Sequence, residues 1–276
     1  MDMDINIAAM RADLHVHSTV SDGSFTRQEI VKLAKEKGLS AIAFSDHDCT
    51  VDFDKVGELG RENGIKIIPA IEISAYDFES EKKVHVLGYG YTDPRPLVQL
   101  CSPTLEKRNA NCLKQIEILS KLGYDITPEK VKKYSDTCIY KQHILKYLFD
   151  TKQSEEIFGR VYKEIFKNGG KCDFDIVYAD CRDAVKAIKE SGGYAVLAHP
   201  GQQENFSTVK KLCDCGLDGI ELFHPSNDEN AHTIIKELCA EHGLFFTGGS
   251  DFHGLYERGG KDLGDFTSPE NPLLKN

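Results

Sequence analysis

Near the amino terminus, Ala12, Leu14 and Val16 alternate with Asp13, His15 and His17. This period of two predicts a strand with both histidines on one face, their Cα atoms roughly 6–7 Å apart. Further apolar runs follow at 39–46, ending in Asp46-His47-Asp48, at 65–73 with Glu72 near its end, and at 84–89 with His85 near its start. Three more, at 194–200, 218–224 and 244–249, end in His199, in His224 and in Ser250-Asp251-Phe252-His253-Gly254. Unbroken apolar runs such as 65–73 imply strands buried on both faces. Between the runs a helical period predicts helices at 26–37, 54–63, 182–189, 207–213 and 230–242. Thr26 and Glu29 have capping-box spacing, and Gly38 and Gly64 are stop signals.

Only about ten residues, 74–83, separate the third and fourth strands, with no helix among them. A parallel crossover needs a dozen or more, so these strands are expected to run antiparallel, bringing Glu72 and His85 together. From 92 to 181 the alternation disappears. Pro94 and Pro96 interrupt the chain, helical pieces follow at 105–122, 127–134, 142–149 and 154–166, and Gly169-Gly170-Lys171 marks the exit. The expected fold is therefore α/β: a (β/α)7 barrel built from 1–91 and 182–276, with a helical cap inserted at 92–181, after the fourth strand. An open doubly wound sheet is the alternative, weakened by the missing glycine fingerprint after the first strand.

The chain has 276 residues, 40% of them hydrophobic and 28% charged, so a core can form without metal or disulfide support. A net charge of −10 argues against long duplex nucleic acid as a partner. It leaves small phosphorylated ligands open, because bound divalent ions reverse the local sign. Nine scattered cysteines without a C-x-x-C pair suit reduced thiols. The first ten residues lack the pattern of a signal peptide, and no apolar stretch approaches ~20 residues. A soluble, cytoplasmic protein with no membrane partner is expected.

The candidate chemistry collects where the strands end. In parallel barrels that rim carries the active site, and every predicted strand delivers a ligand-type side chain to it. The candidates are His15, His17, Asp22, His47, Glu72, His85, His199, Asp251 and His253. They exceed one coordination sphere and contain no thiolate, which points to two or three divalent ions, manganese, iron or zinc, with Glu72 and Asp251 as bridges. Asp46 and Asp48 are expected to hold the His47 ring by its second nitrogen.

The ordered motifs D-L-H-V-H-S, S-D-G, S-D-H-D, P-A-I-E, V-H-V-L-G-Y, L-A-H-P, G-I-E-L-F-H and S-D-F-H-G resemble those of the PHP (polymerase and histidinol phosphatase) superfamily of metal-dependent phosphoesterases. The resemblance covers 12–91 and 182–254 and implies a distorted (β/α)7 barrel with its metals at the rim. Carried over by position, it implies His15, His17, Glu72 and Asp251 around one ion, Glu72, His85 and His199 around a second, and Asp22, His47 and His253 around a third. His224 would meet the substrate phosphate, with His224 or His253 protonating the leaving oxygen. The stand-alone branch, which the chain resembles most, includes phosphatases that release the 3′-phosphate of nucleoside 3′,5′-bisphosphates and enzymes that trim short RNA from its 5′ end.

The insertion departs from that pattern. Where the branch shows a G-R-P-H-like stretch whose arginine meets phosphate, this chain has Tyr140-Lys141-Gln142-His143. Lysine keeps the charge but loses the bidentate fork. Lys141, His143 and Arg258 are the candidates for holding a second phosphate. The expected activity is hydrolysis of a phosphomonoester in a small substrate, foremost the 3′-phosphate of nucleoside 3′,5′-bisphosphates. Histidinol phosphate, short oligonucleotides, an amidohydrolase-type C–N substrate and a non-catalytic metal scaffold are the alternatives.

Overall fold

The computed structural model describes residues 10–256 and 261–275. β1 (Ala12–Val16) pairs in parallel with β2 (Ala41–Phe44), which pairs in parallel with β3 (Lys66–Asp77). The connecting helices are α1 (Arg27–Glu36) and α2 (Phe53–Asn63). The α1 capping box forms, with Thr26 and Glu29 exchanging side chain–backbone hydrogen bonds, and Gly64 ends α2 in the left-handed conformation at φ 68°. β3 turns into β4 (Lys82–Tyr89), which runs antiparallel to it from Ala70↔Tyr89 to Asp77↔Lys82. Helices α3 (Arg95–Lys121), α4 (Pro128–Lys132), α5 (Lys141–Asp150) and α6 (Arg160–Ile165) follow. The two-residue β5 (Ala179–Asp180) pairs with the end of β3 and leads into α7 (Cys181–Glu190). β6 (Tyr194–Leu197), α8 (Pro200–Gln203), α9 (Val209–Cys213), β7 (Gly219–Phe223), α10 (Glu229–His242) and β8 (Phe245–Gly248) complete the order.

The main path of strands is β1-β2-β3-β4-β6-β7-β8, with β4 antiparallel to both neighbours. Past β8 the chain returns to β1: His17 N–H donates to Phe252 O at 2.9 Å, and Phe252 N–H donates to His15 O at 3.3 Å. These bonds make a nearly closed barrel of the expected α/β class. An inner cluster of mostly small residues, Ala12, Leu14, Ala41, Ala43, Ala70, Leu87, Tyr89 and Ala198, fills it, with Leu273 and Leu274 packed against that cluster. An outer cluster joins the strands to α1, α2, α7 and α10. The helices after β4 have an apolar cluster of their own around Ile116, Leu119, Ile144, Leu148 and Phe166.

Several elements differ from the sequence expectation. Ala12 and Leu14 face the barrel interior while Val16 joins the outer cluster, so their shared face does not persist along β1. A register shift between Asp13 and Val16 is the cause: three steps along β1 match two along β2 (Ile42 to Phe44), and such a bulge flips the alternation. β3 runs five residues past Glu72, because the antiparallel β4 supplies partners up to Asp77. α3 begins at Arg95, ten residues earlier than expected: Pro96 occupies its first turn, where a missing N–H costs nothing, and Pro103 is carried within it. Only Arg160–Ile165 of the 154–166 piece is helical, and β5 lies inside the stretch expected to hold no strand. No helix among the described residues is long and apolar enough to cross a membrane.

The closure of the barrel leaves no room at Gly249, where a Cβ would sit 2.4 Å from His15 N and Cβ. Gly249→Ala should therefore cost about 3 kcal/mol in urea unfolding. Gly57→Ala, in the interior of α2 and facing only the tip of Arg61, should stabilise by about 0.5–1 kcal/mol. Equal effects of the two substitutions would contradict this account of the closure.

Candidate metal centre

The bulge in β1 and the bonds to Phe252 fix His15 and His17 at the barrel mouth, both fully buried. Their ring centroids are 5.2 Å apart. Glu72, mid-strand on β3 and 1% exposed, lies at the centre. Its Oε2 is 3.4 Å from His15 Nε2, 3.3 Å from His17 Nε2 and 3.0 Å from His47 Nδ1. Its Oε1 is 2.8 Å from His85 Nδ1 and 2.9 Å from His199 Nε2. The antiparallel β3–β4 pair thus brings Glu72 and His85 together as expected, two residues out of direct register, since Ser74 pairs with His85.

Asp251 Oδ1 lies 3.3 Å from His15 Nε2 and 3.1 Å from His17 Nε2, and its Oδ2 is 3.4 Å from His224 Nε2. On the other side of His17, Asp22 Oδ1 is 3.4 Å from His253 Nε2, and Asp22 Oδ2 is 3.9 Å from His47 Nε2. Donor atoms within 4.8 Å of one another form four sets that could hold an ion: His15, His17, Glu72 and Asp251; His17, Asp22, His47 and His253; His47, Glu72 and His85; and His15, Glu221 and His224. The first set is the one expected. The second gains His17, and in the third His47 stands where His199 was expected.

Atom by atom the cluster fits divalent cations. His15 Nε2, His17 Nε2, Asp22 Oδ1, His47 Nδ1, Glu72 Oε2 and His199 Nδ1 are buried without a hydrogen-bond partner among the described residues. Unpaired buried polar atoms are costly, and here they converge on one place. Burial pushes His47 down to about 3 even though Glu72 and Asp22 pull the other way, which leaves a neutral ring able to coordinate. Burial opposes protonation of His253 too, yet Asp22 and Asp251 push it up to about 10, so a bound cation would displace a proton there.

Neither Asp46 nor Asp48 holds the His47 ring, contrary to expectation, because both nitrogens of that ring face Glu72 and Asp22. Asp46 accepts from Ser18 N–H and Oγ–H, Ser21 Oγ–H and the Arg27 guanidinium, tying the turn after His17 to α1. Asp48, at φ 58°, accepts from Ser74 N–H and from Arg108 of α3 at 2.8 Å.

The cluster opens into a cavity of about 390 Å³, lined among others by Gln142, Gln202, His224, Ser226, Tyr256 and Lys261. It shares Asp22, His47, His85, Gln142, Phe158 and Gln202 with an adjoining cleft of about 540 Å³ that carries Lys83, Arg108, Tyr140, Lys141 and Tyr178. Lys141 lines this outer cleft rather than the metal cavity. His143 is buried and turned inward: its Nδ1 accepts from Tyr140 N–H at 3.1 Å, and burial pushes it down to about 4. Arg258 lies outside the described residues. Three participants escaped the sequence reading. Gln142 donates to Asp22 Oδ2 at 2.7 Å, Arg108 spans Asp48 and Ser74, and Glu221 sits 2.9 Å behind the His15 ring.

A near-closed α/β barrel whose rim gathers histidines and carboxylates able to hold divalent ions defines a class of candidate metal-site proteins, and comparison with known proteins narrows it. The PHP domain family matches residues 13–195. A phosphoribosyl 1,2-cyclic phosphate 1,2-diphosphodiesterase of Eggerthella lenta is 44% identical over 252 residues, 90% of this chain and 96% of that protein. A 3′,5′-nucleoside bisphosphate phosphatase of Chromobacterium violaceum is 27% identical, covering 91% of this chain and 90% of its own. Among solved structures, a Bifidobacterium adolescentis protein assigned by inference as a metal-dependent phosphoesterase superposes with a TM-score of 0.84 at 28% identity, over 93% of this chain and 92% of that one. The chain belongs to the PHP-domain family, and these relatives place it among phosphoric ester hydrolases.

Asp46 offers a test of how the rim is held. Asp46→Ala strands Arg27 and the Ser18 N–H, and should cost about 2–3 kcal/mol in unfolding free energy. Loss of less than about 0.5 kcal/mol would show that the turn after His17 is held by other contacts.

Proposed function

We propose that this protein is a metal-dependent phosphodiesterase acting on a small phosphorylated sugar that carries a cyclic phosphate. The observation that carries this reading is the 44% identity to the Eggerthella lenta enzyme across nearly the whole of both chains. It reorders the expectation from sequence, which placed the 3′-phosphate of nucleoside 3′,5′-bisphosphates first. That substrate is the second reading, favoured by the Chromobacterium violaceum relative at 27% identity.

On this reading His15, His17, Asp22, His47, Glu72, His85, His199, Asp251 and His253 hold two or three divalent ions, manganese, iron or zinc. Such ions supply Lewis acidity at phosphoryl oxygens and bring the pKa of water toward neutrality. The chain's own groups do the rest. His224 Nδ1 accepts from Ser226 N–H at 3.0 Å, so the neutral ring keeps its proton on Nε2, beside Asp251 and at the cavity wall. From there it donates to the phosphate or to the leaving oxygen. His253 has the opposite arrangement. Its Nδ1 lies 2.7 Å from the Asp251 carbonyl and donates to it, leaving Nε2 for a metal. This favours His224 over His253 as the proton-bearing group.

The segment 92–181 serves as the cap. It brings the outer cleft, with its cations and the Tyr140 and Tyr178 rings, up against the rim. Among the described residues no hydrogen bond or ion pair reaches half-buried Lys141, which makes it a ready counter-charge for a second phosphate. Buried His143 supports the start of α5 and does not reach the substrate.

The decisive experiment follows by phosphorus NMR the opening of a five-membered cyclic sugar phosphate, one that also carries a terminal phosphate, to its monoester and any further release of inorganic phosphate. Adenosine 3′,5′-bisphosphate, histidinol phosphate and a short 5′-phosphorylated RNA run alongside. Preference for the cyclic diester is expected, and preference for the bisphosphate would replace the first reading by the second. Chelation should abolish turnover, and His199→Ala should lower kcat at least about 10³-fold with the fold intact. Lys141→Met should raise KM about tenfold for substrates with a second phosphate while leaving kcat nearly unchanged, the sign of lost uniform binding.

A further inference from the structure

Glu221 lies on β7 behind the rim, fully buried in an otherwise apolar strand, and no substrate could reach it. Its two oxygens serve two different histidines. Oε1 is 2.9 Å from His15 Nδ1, and Oε2 accepts the His199 backbone N–H at 2.9 Å. His199 has φ 25°, a strained backbone for a residue with a side chain, immediately before Pro200. A β-bulge between Glu221 and Phe223 sets the strand at this point, and Asn227 Nδ2–H donates to the Glu221 carbonyl.

We propose that Glu221 is the positioning residue of the metal centre: one carboxylate keeps the His15 proton on Nδ1, aiming the Nε2 lone pair into the cluster, and at the same time holds His199 in its strained backbone conformation. The proposal rests on the metalloenzyme reading above and adds a residue to it. Both partners of Glu221 are N–H donors, so a carboxylate, with an acceptor at each oxygen, satisfies both. A carboxamide satisfies one and sets its NH₂ against the other. A carboxylate behind a ligand histidine also raises the basicity of the ring.

The test compares the wild-type chain with Glu221→Gln, which keeps the volume, and Glu221→Asp, which keeps the charge but is too short to span both partners. Zinc affinity is measured by chelator competition, and the His15 ring is read by ¹⁵N NMR of the zinc-loaded chain, assigned through His15→Gln. Both variants should bind zinc 10–100-fold more weakly, and wild-type His15 should carry its proton on Nδ1. Wild-type affinity in Glu221→Gln, or His15 with an unprotonated Nδ1, would overturn the proposal. The ring measurement needs no change at Glu221, so it decides the matter even if the substitutions there fail to fold. If the wild-type chain takes up no zinc, the metalloenzyme reading fails separately. The Nδ1 proton in the ion-free chain then still decides for or against Glu221.

Discussion

A carboxylate surrounded by imidazoles is the constraint on which this molecule turns. Glu72 is almost wholly buried, with nitrogens of His15, His17, His47, His85 and His199 all within 3.4 Å. Among the described residues several of these buried nitrogens lie close to a carboxylate yet make no hydrogen bond. Divalent ions held by these residues would relieve the crowding, taking up imidazole lone pairs and supplying the carboxylates with counter-charge. The barrel concentrates donor atoms at its mouth, a donor set suited to positive charge.

The register of the strands is what allows such crowding, and it was only partly legible. The apolar runs, the capping box at Thr26 and the stops at Gly38 and Gly64 are local signals, and the elements they mark formed where they were expected. The short link between β3 and β4 was enough to infer the antiparallel pair and the meeting of Glu72 with His85. The bulge in β1 was not legible, because a bulge is a property of two paired strands while the sequence shows one. Simple alternation therefore assigned Val16 to the wrong face. Pro94 and Pro96 looked like a break, yet proline in the first turn of a helix satisfies the geometry it disrupts elsewhere.

The same division holds at the site. The histidines and acids announce themselves by residue type and by position at strand ends. Their supports do not. Glu221 did leave a trace, as the one charge in the otherwise apolar Gly219–Phe223 strand, but its meaning depends on a partner more than 200 residues away. Arg108, on a helix of mixed polarity, finds Asp48 and Ser74 only once α3 is folded against the rim. Asp46 and Asp48 were recognised as supports but given the wrong partner: they hold serines and arginines and no ring, since proximity in sequence to His47 does not fix where a side chain points.

These supports also tie the helical segment to the metal cluster. Tyr140 O–H donates to the His47 carbonyl at 2.9 Å, Gln142 takes one oxygen of Asp22, and Asp136 and Thr137 bond to Thr19 and Val20 beside the Ser21-Asp22 turn. The residues that line the outer cleft are thus the neighbours, in hydrogen-bond terms, of the residues of the candidate metal cluster. A change in the segment that alters the shape of the cleft also shifts Asp22 or His47 by the same contacts. The shape of the cleft and the geometry of the cluster are then one mechanical problem rather than two. Relatives that match this chain along about nine-tenths of its length carry names as different as cyclic phosphate diphosphodiesterase and bisphosphate phosphatase, as expected when a fold does not by itself fix what is acted on.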